Sequence, residues 1–243
     1  MKTIGLIGGM SWVSTVPYYE IINEVVNAEL GGLHSARLLL YSVDFDEIEA
    51  LQHAGRWEEA GNVLAAAARR LALGGADFLV LCTNTMHRVA GQIEAAVDIP
   101  LLHIADATAA AVAAASLRRV GLIGTRFTME EPFYRDRLTE RHGLDVLVPE
   151  AGERETLHRV IYAELCRAEI RADSRAAFVA IANGLVARGA QGLILGCTEV
   201  GLLLAPGDVT VPLFDTARLH AEAAARHALP DRRTEAQGSS VAR

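Results

Sequence analysis

Short apolar runs alternate with stretches of helical periodicity along most of the chain. Runs rich in leucine and β-branched residues predict eight strands, at 2–7, 37–43, 78–82, 100–103, 120–123, 145–148, 193–196 and 211–214. These runs are apolar throughout, which is typical of strands that are covered on both faces. Because strands and helices alternate, the pattern predicts parallel sheets in an α/β fold.

The helical segments between these strands have recognisable ends and faces. Ser14 followed by Pro17 indicates the start of the first helix, and Gly31 indicates its end. Apolar residues recur with a helical period over 56–74 and again over 174–189. Such helices supply the crossover connections that parallel strands need.

The chain repeats itself at a nearly constant offset. IGLIG at 4–8 returns as VGLIG at 120–124, and GADFLVL at 75–81 returns as GAQGLIL at 189–195. IPLL at 99–102 returns as VPLF at 211–214. This order predicts two pseudo-symmetric α/β domains from an internal duplication, at 1–115 and 116–230, followed by a flexible tail at 231–243. We expect the last helix of the second half to pack back on the first.

Two halves of this kind predict an active site in the cleft between them, because ligands of open parallel sheets bind beyond the carboxyl ends of the strands. With the offset of the second repeat, Thr83 corresponds to Cys197 and Cys82 to Gly196. Side chains alternate along a strand, so we expect Thr83 and Cys197 to face the cleft and Cys82 to turn away from it.

Composition and charge exclude several classes of protein. The net charge of −7 argues against a nucleic-acid surface, which needs an excess of basic residues. The longest apolar stretch, 99–117, is interrupted by His103 and Asp106, so no membrane span is predicted. Three dispersed cysteines without a CxxC motif, and no recognisable signal peptide, predict reduced thiols and a cytoplasmic protein.

The sequence predicts neither a cofactor nor a metal. Lys2 is the only lysine, and a pyridoxal-phosphate enzyme needs a buried lysine for its Schiff base. The glycine-rich segment 5–12 does not fit GxGxxG, and the chain has no GxxxxGK[ST] or HExxH motif.

Cys197 is the first candidate for chemistry. It lies in GCTE, at 196–199, after an apolar strand and at an expected helix start. Backbone N–H groups at a helix start lower the pKa of a thiol from ~8.5. Glu199 can accept or pass a proton. The alternative is that Cys197 is a buried structural cysteine. Its polar neighbours and its position at the end of a strand argue against this alternative.

The segment TNTMH at 83–87 also follows an apolar strand. Its hydroxyls, amide and N–H groups can hold a carboxylate, although threonine and asparagine are equally common as helix N-caps. His87 fits a capping or packing role at least as well as a catalytic one. Cys166, within a helical stretch at 157–168, is expected to serve packing only.

Five segments together resemble the aspartate/glutamate racemase superfamily, and in particular its L-aspartate/L-glutamate-specific, broad-specificity amino-acid racemase branch. They are GGMSW at 8–12, YSVDF at 41–45, LCTNTMH at 81–87, HIADAT at 103–108 and GCTE at 196–199. The resemblance implies two pseudo-symmetric α/β halves and cofactor-independent racemisation. One residue then removes the α-proton while another delivers a proton to the opposite face.

The chain departs from this family at one catalytic position. Most members have cysteine at both positions, whereas this chain has Thr83 at the first. An alcohol is not ionised at neutral pH, so Thr83 can donate or relay a proton only. Cys82 is the rival residue. The resemblance assigns catalysis to Thr83 and Cys197, and substrate binding to Met10, Gln52, Thr83, Asn84, Thr85, Glu164, Thr198 and Glu199.

The resemblance leaves the partner of a side-chain carboxylate open. Some aspartate racemases have a basic residue near the positions of Gln52 and Glu164, which are neutral and acidic here. Strict specificity for acidic substrates is therefore not predicted. Arg126 is a candidate replacement.

The sequence thus predicts a racemase of L-aspartate or L-glutamate, with Cys197 as the base toward the L-substrate. Two alternatives stay open. One is a decarboxylase or cis–trans isomerase of a small dicarboxylate on the same scaffold, and the other is a non-catalytic amino-acid- or dicarboxylate-binding protein. The expected partners are a small amino acid or dicarboxylate and, as an option, a second copy in a homodimer.

Overall fold

Two four-stranded parallel sheets form the framework of the computed structural model, which describes residues 1–230. The first sheet contains β1 (Ile4–Gly8), β2 (Leu38–Ser42), β3 (Phe78–Leu81) and β4 (Leu101–Leu102), in the order β2-β1-β3-β4. The second contains β5 (Arg119–Gly124), β6 (Asp145–Leu147), β7 (Leu193–Gly196) and β8 (Leu213–Asp215), in the order β6-β5-β7-β8. The predicted α/β fold with two parallel sheets is confirmed, and each predicted strand is present.

Helices connect these strands. In the described chain they are α1 (Trp12–Leu30), α2 (Phe45–His53), α3 (Trp57–Leu73), α4 (Ala90–Glu94), α5 (Ile104–Ala114), α6 (Arg126–Glu130), α7 (Pro132–Asp136), α8 (Ala151–Ala163), α9 (Ala172–Ala187) and α10 (Thr216–Ala228). Short 3-10 turns lie at Thr85–Val89, Leu165–Arg167 and Val200–Leu202, and a π-turn lies at Arg137–Arg141. No helix within 1–230 is long and apolar enough to cross a membrane. The predicted tail at 231–243 lies outside the described residues.

Side-chain caps fix several helix starts. The carboxylate of Asp44 accepts from the N–H of Asp46 at the start of α2, and Asp215 accepts from two N–H groups at the start of α10. Glu150 and Glu153 form a reciprocal capping box at α8, so the charged segment EAGERE at 150–155 begins this helix.

The register of the two sheets confirms the equivalence derived from the repeat. Ile7 of β1 pairs with Leu81 of β3, and its repeat partner Ile123 of β5 pairs with Leu195 of β7. Thr83 and Cys197 therefore each lie two residues beyond equivalent paired positions, at the carboxyl ends of equivalent central strands in the two sheets.

The first sheet has an apolar layer on each face. Phe78, Val80 and Cys82 pack in one cluster with residues of α1 and α10, whereas Leu79 and Leu81 pack in another with residues of α3. This is the alternation expected of a strand that is buried on both faces.

The two halves exchange their last helices. Helix α5 follows the last strand of the first sheet, but its Ile104, Ala109 and Val112 belong to the apolar cluster of the second sheet. Helix α10 follows the last strand of the second sheet, yet its Ala221 and Ala224 belong to a cluster of the first. Because each half supplies part of the other's core, the exchange holds the two sheets on either side of one cleft.

Candidate active site

A cavity lies in this cleft. Both halves line it, through Met10, Phe45, Gln52, Thr83, Asn84, Thr85, Thr125, Ile161, Tyr162, Cys166, Cys197, Thr198 and Glu199. Each residue for which the sequence predicts a catalytic or substrate-binding role is among them, with the exceptions of Glu164 and Arg126. The loops after β3 and β7 bring Thr83 and Cys197 to the same cavity.

Glu199 organises the polar groups around Cys197. Its Oε2 accepts hydrogen bonds from Cys197 Sγ at 3.1 Å and from Thr198 Oγ1 at 2.7 Å. Its Oε1 accepts from Ser11 Oγ of the first half at 2.8 Å. Every partner is a donor, which is the arrangement that an ionised carboxylate requires.

The expected lowering of the Cys197 pKa is wrong. Burial raises the pKa of this thiol well above its usual value, and the Glu199 carboxylate raises it further. No α-helix begins at the loop, because the residues after Glu199 form only the 3-10 turn Val200–Leu202. Cys197 is therefore a thiol that donates to Glu199, and its activation requires transfer of that proton.

His87 braces the loop that carries Thr83. Its Nδ1 donates to the Thr83 carbonyl at 2.7 Å, and its Nε2 accepts from the N–H of Ile104 at 3.3 Å. These two bonds select the neutral Nδ1–H tautomer. The ring is buried below the cavity and is not part of its lining, so the packing interpretation of His87 agrees with its position.

Asn84 presents an unpaired acceptor. Its Nδ2 donates to Thr216 Oγ1 at 2.9 Å, and the single proton of that hydroxyl goes to the Leu195 carbonyl at 2.7 Å. Thr216 can therefore only accept from Asn84, which fixes the orientation of the amide. Asn84 Oδ1 is buried without a partner in a residue that lines the cavity, so it is available to a donor on a ligand.

Two partners fix the orientation of the Gln52 amide. The Tyr162 hydroxyl donates to Gln52 Oε1 at 2.8 Å, and Gln52 Nε2 lies 2.9 Å from Met86 Sδ. Because a thioether only accepts, Nε2 is the amide atom on that side. The Tyr162 ring also stacks on Phe45, with centroids 6.5 Å apart, so these two rings connect the halves at the cavity wall.

The other two cysteines are placed differently from each other. Cys82 is fully buried in the apolar cluster with α1 and α10, on the face of the sheet away from the cavity. Cys166 lines the cavity, because α8 ends at Ala163 and the chain turns inward at Leu165–Arg167. Cys166 forms part of the cavity wall and also packs against the apolar cluster of the second sheet, so its expected packing role stays a prediction.

Glu164 lies outside the cavity. Its carboxylate accepts from Ser174 Oγ at 2.5 Å and lies 3.8 Å from the guanidinium groups of Arg159 and Arg171. Burial against these partners gives Glu164 a local structural role. Arg126 is exposed and does not line the cavity either. The structure therefore does not bring these two predicted residues to the site.

Glu199 is the only acidic group in the described lining, and that lining contains no lysine, arginine or histidine. Lys2 is exposed on the far side of the first half, where its Nζ lies 3.2 Å from His227 Nε2. No group of three or more side chains suited to a metal ion is found in residues 1–230. Hydroxyls, amides, thiols and the Glu199 carboxylate thus form the polar surface of the cavity.

Several lining residues escaped the sequence analysis. Thr125 follows the second-half copy of the glycine segment, and its hydroxyl lies 3.0 Å from that of Thr85. The repeat could have indicated it, because Thr125 is the equivalent of Gly9. Phe45, Ile161 and Tyr162 carry no such signal, since their approach to the cavity depends on how α2 and α8 pack across the cleft.

Comparison with known proteins gives one family. The model of the Asp/Glu/hydantoin racemase family matches residues 7–224. A crystal structure of a Yersinia pestis protein, provisionally described as an Asp/Glu racemase, is 54% identical, with 95% of this chain and 100% of that chain covered and a TM-score of 0.88. A Pyrococcus horikoshii aspartate racemase homologue is 34% identical, with 94% and 99% covered and a TM-score of 0.80.

A curated relative has a more distant sequence. The broad specificity amino-acid racemase RacX of Bacillus subtilis is 24% identical over 149 residues, which are 59% of this chain and 63% of that protein. The chain therefore spans less than two thirds of the length of this relative. A homodimer and a cytoplasmic location stay predictions.

Proposed function

The chain belongs to the Asp/Glu/hydantoin racemase family of isomerases, and from that premise we propose that it is a cofactor-independent amino-acid racemase acting on L-aspartate and L-glutamate. One observation carries the proposal. A buried thiol, Cys197, donates to the carboxylate of Glu199 in a cavity whose equivalent position in the other half bears the hydroxyl of Thr83. Such a pair can act on two faces of one carbon atom.

The first step is a proton relay through Cys197. The raised pKa of Cys197 makes a free thiolate costly, so the thiol passes its proton to Glu199 as it takes the α-proton. The Cα–H bond breaks and a new S–H bond forms, while the old S–H bond breaks and an O–H bond forms on Glu199. The electron pair of the Cα–H bond stays on the substrate as a carbanion.

Fixed polar groups stabilise this carbanion. We assign the free Asn84 Oδ1 to the substrate ammonium group, and the hydroxyls of Thr85 and Thr125 to its α-carboxylate. These groups are held in place before substrate binds, and Thr83, Asn84 and Thr85 are each at most 7% exposed. Preorganised donors in a site that excludes water lower the barrier to formation of the carbanion.

Thr83 delivers a proton to the opposite face of the α-carbon. Its hydroxyl is a weak acid, so it delivers or relays a proton and does not remove one at neutral pH. The reaction of the L-substrate therefore begins at the stronger of two unequal bases. We expect the initial rates of α-proton exchange with solvent to differ between the two enantiomers, while the equilibrium between them is unchanged.

The substrate side chain faces Gln52 and the rings of Phe45 and Tyr162. Gln52 Nε2 can donate to a carboxylate, an amide oxygen or a hydroxyl. Because the described lining contains no cation, an acidic side chain depends on such neutral donors. We therefore propose that acidic substrates are accepted without being strictly required.

Exchange of the α-proton in D₂O tests the proposal. The purified protein is incubated with a panel of L- and D-amino acids, and α-deuteration is followed by NMR. We expect exchange of L-aspartate and L-glutamate that survives dialysis against a chelator. Absence of exchange with every amino acid, despite ligand binding, would refute the racemase and favour a binding protein. Carbon dioxide release from a dicarboxylate would favour the decarboxylase.

A further inference from the structure

Ser11 departs from the usual role of a serine before a helix. It is the N-cap residue of α1, where a serine side chain normally accepts a hydrogen bond from an N–H of the first turn, but it makes no such bond. Its Oγ instead donates to Glu199 Oε1 at 2.8 Å. Ser11 and Glu199 are 2% and 3% exposed, so this bond is shielded from water.

The Ser11–Glu199 bond crosses the cleft. Ser11 follows β1 of the first half, and Glu199 follows β7 of the second. The backbone of Ser11 is held separately, because its carbonyl accepts from the hydroxyls of Ser14 at 3.0 Å and Thr15 at 2.9 Å. The side chain is therefore free to donate to Glu199.

The bond also gives the two carboxylate oxygens of Glu199 different partners. Because Ser11 takes Oε1, Oε2 is directed to Cys197 and Thr198. The hydroxyl dipole of Ser11 further offsets part of the negative charge beside the Cys197 sulfur. Without it, Glu199 is free to rotate, and a thiolate at Cys197 meets a less compensated carboxylate.

We infer that Ser11 is a positioning residue, whose hydroxyl in the first half orients Glu199 of the second half for proton transfer with Cys197. The inference deepens the proposed racemase, on which the catalytic part of its test rests. Because Ser11 and Glu199 belong to different halves, the orientation of the proton acceptor depends on both halves.

The test compares Ser11→Ala with Ser174→Ala, which removes another buried serine hydroxyl that donates to a glutamate, in this case Glu164 outside the cavity. The first readout is the rate of alkylation of Cys197 by iodoacetamide as a function of pH, measured without substrate by mass spectrometry of its peptide. Ser11→Ala should move this profile by about half a pH unit or more to higher pH. Ser174→Ala should leave it unchanged.

The second readout is α-deuteration of the L-substrate. Ser11→Ala should lower kcat about 10- to 100-fold, because a displaced proton acceptor slows transfer, with little change in KM. Ser11→Thr keeps the hydroxyl and should restore the rate. In a Glu199→Gln background, Ser11→Ala should add little, because the carboxylate that it positions is already gone.

These measurements distinguish failure of the racemase proposal from failure of the Ser11 inference. If the wild-type protein exchanges no amino acid, the racemase fails while the alkylation profile still tests Ser11. An unchanged profile in Ser11→Ala overturns the inference, as does an equal loss from Ser11→Ala in the wild-type and Glu199→Gln backgrounds. If Ser11→Ala does not fold, Ser11→Thr provides the test instead. A Ser11→Thr variant that folds but does not reach the wild-type rate of L-substrate exchange would also overturn the inference.

Discussion

Cys82 and Thr83 are adjacent in the chain but lie on opposite sides of the end of β3. Cys82 is sealed in the apolar layer beneath α1 and α10, and its Sγ lies 3.9 Å from the Val80 carbonyl. Thr83 lines the cavity that also contains Cys197. Burial raises the pKa of the Cys82 thiol, so this residue is neither placed nor ionised to act on a substrate.

This arrangement predicts different effects of single substitutions at the two positions. Thr83→Cys should raise α-deuteration of D-aspartate and D-glutamate by about 10-fold or more, because a thiol ionises far more readily than an alcohol. Cys82→Ala should leave the exchange of both enantiomers unchanged. NMR measurement of initial deuteration rates for wild type and both variants checks the prediction.

Equal wild-type rates for D- and L-substrate would contradict this arrangement, particularly if Cys82→Ala abolished exchange of the D-form. Cys82 would then be the second base. The register of the loop after β3 would have to differ in solution. A circular dichroism melt of each variant serves as the control for folding, since Cys82 contributes to the core.

Cys197→Ser should abolish turnover while the fold stays intact. A serine hydroxyl can still donate to Glu199, but it is too weak an acid to exchange protons with the α-carbon in the same relay. We expect L-aspartate exchange to fall at least about 100-fold. Cys82→Ser is the matched control, because it makes the same atomic change at a buried thiol outside the cavity. Residual turnover of Cys197→Ser at several per cent of wild type would remove Cys197 from this role.

The sequence was sufficient for the framework because its signals are local or repeated. Each strand is a short apolar run between turns, and the repeat aligned β3 with β7, which placed Thr83 opposite Cys197 in register. The exchange of α5 and α10 between the halves was only partly foreseen. Nothing in the apolar pattern of α5 indicates which sheet will cover it.

Properties that depend on packing across the cleft could not be predicted in the same way. The pKa of Cys197 is governed by burial and by the orientation of Glu199, which Ser11 holds from 188 positions away. Cys166 reaches the cavity because α8 ends one turn earlier than the periodicity indicated. Glu164 faces Ser174 and two arginines for the same reason, since the chain changes direction there.

The neutral lining predicts a broad choice of substrate. L-glutamate and L-glutamine differ only in the group that meets Gln52, and no cation in the described cavity distinguishes them. We expect their initial exchange rates to lie within about 10-fold of each other, which corresponds to about 1.4 kcal/mol. Side-by-side deuteration at equal concentration measures the ratio. A preference for glutamate above about 100-fold would require a cation that this cavity does not contain.

Tyr162→Phe tests how Gln52 is held. The variant keeps the ring that stacks on Phe45 but removes the hydroxyl that donates to Gln52 Oε1. The buried amide then loses a partner, which should lower the free energy of unfolding by about 1–3 kcal/mol. We expect KM to rise for both glutamate and glutamine while kcat changes little. A change in kcat alone would indicate that Tyr162 acts on the reacting atoms.

Three buried histidines predict how stability depends on pH. The ring of His87 lies 4.3 Å from that of His103 and 6.0 Å from that of His220, centroid to centroid. Burial lowers the pKa of all three, to about 3 for His103 and about 4 for His220. Each ring is neutral in the folded protein, and His220 accepts from the Tyr18 hydroxyl while it donates to the Leu102 carbonyl.

Below about pH 6.5 the unfolded chain takes up protons at these histidines that the folded chain does not. The contribution of the neutral rings to the free energy of unfolding is therefore fully present above pH 6.5 and is lost as the pH falls toward 4. Each histidine should contribute a slope of up to about 1.4 kcal/mol per pH unit in that interval. His220→Gln should reduce the slope by close to one proton. Urea unfolding between pH 4.5 and 7.5 measures the slopes, and an equal slope in wild type and His220→Gln would show that His220 is already charged in the folded protein.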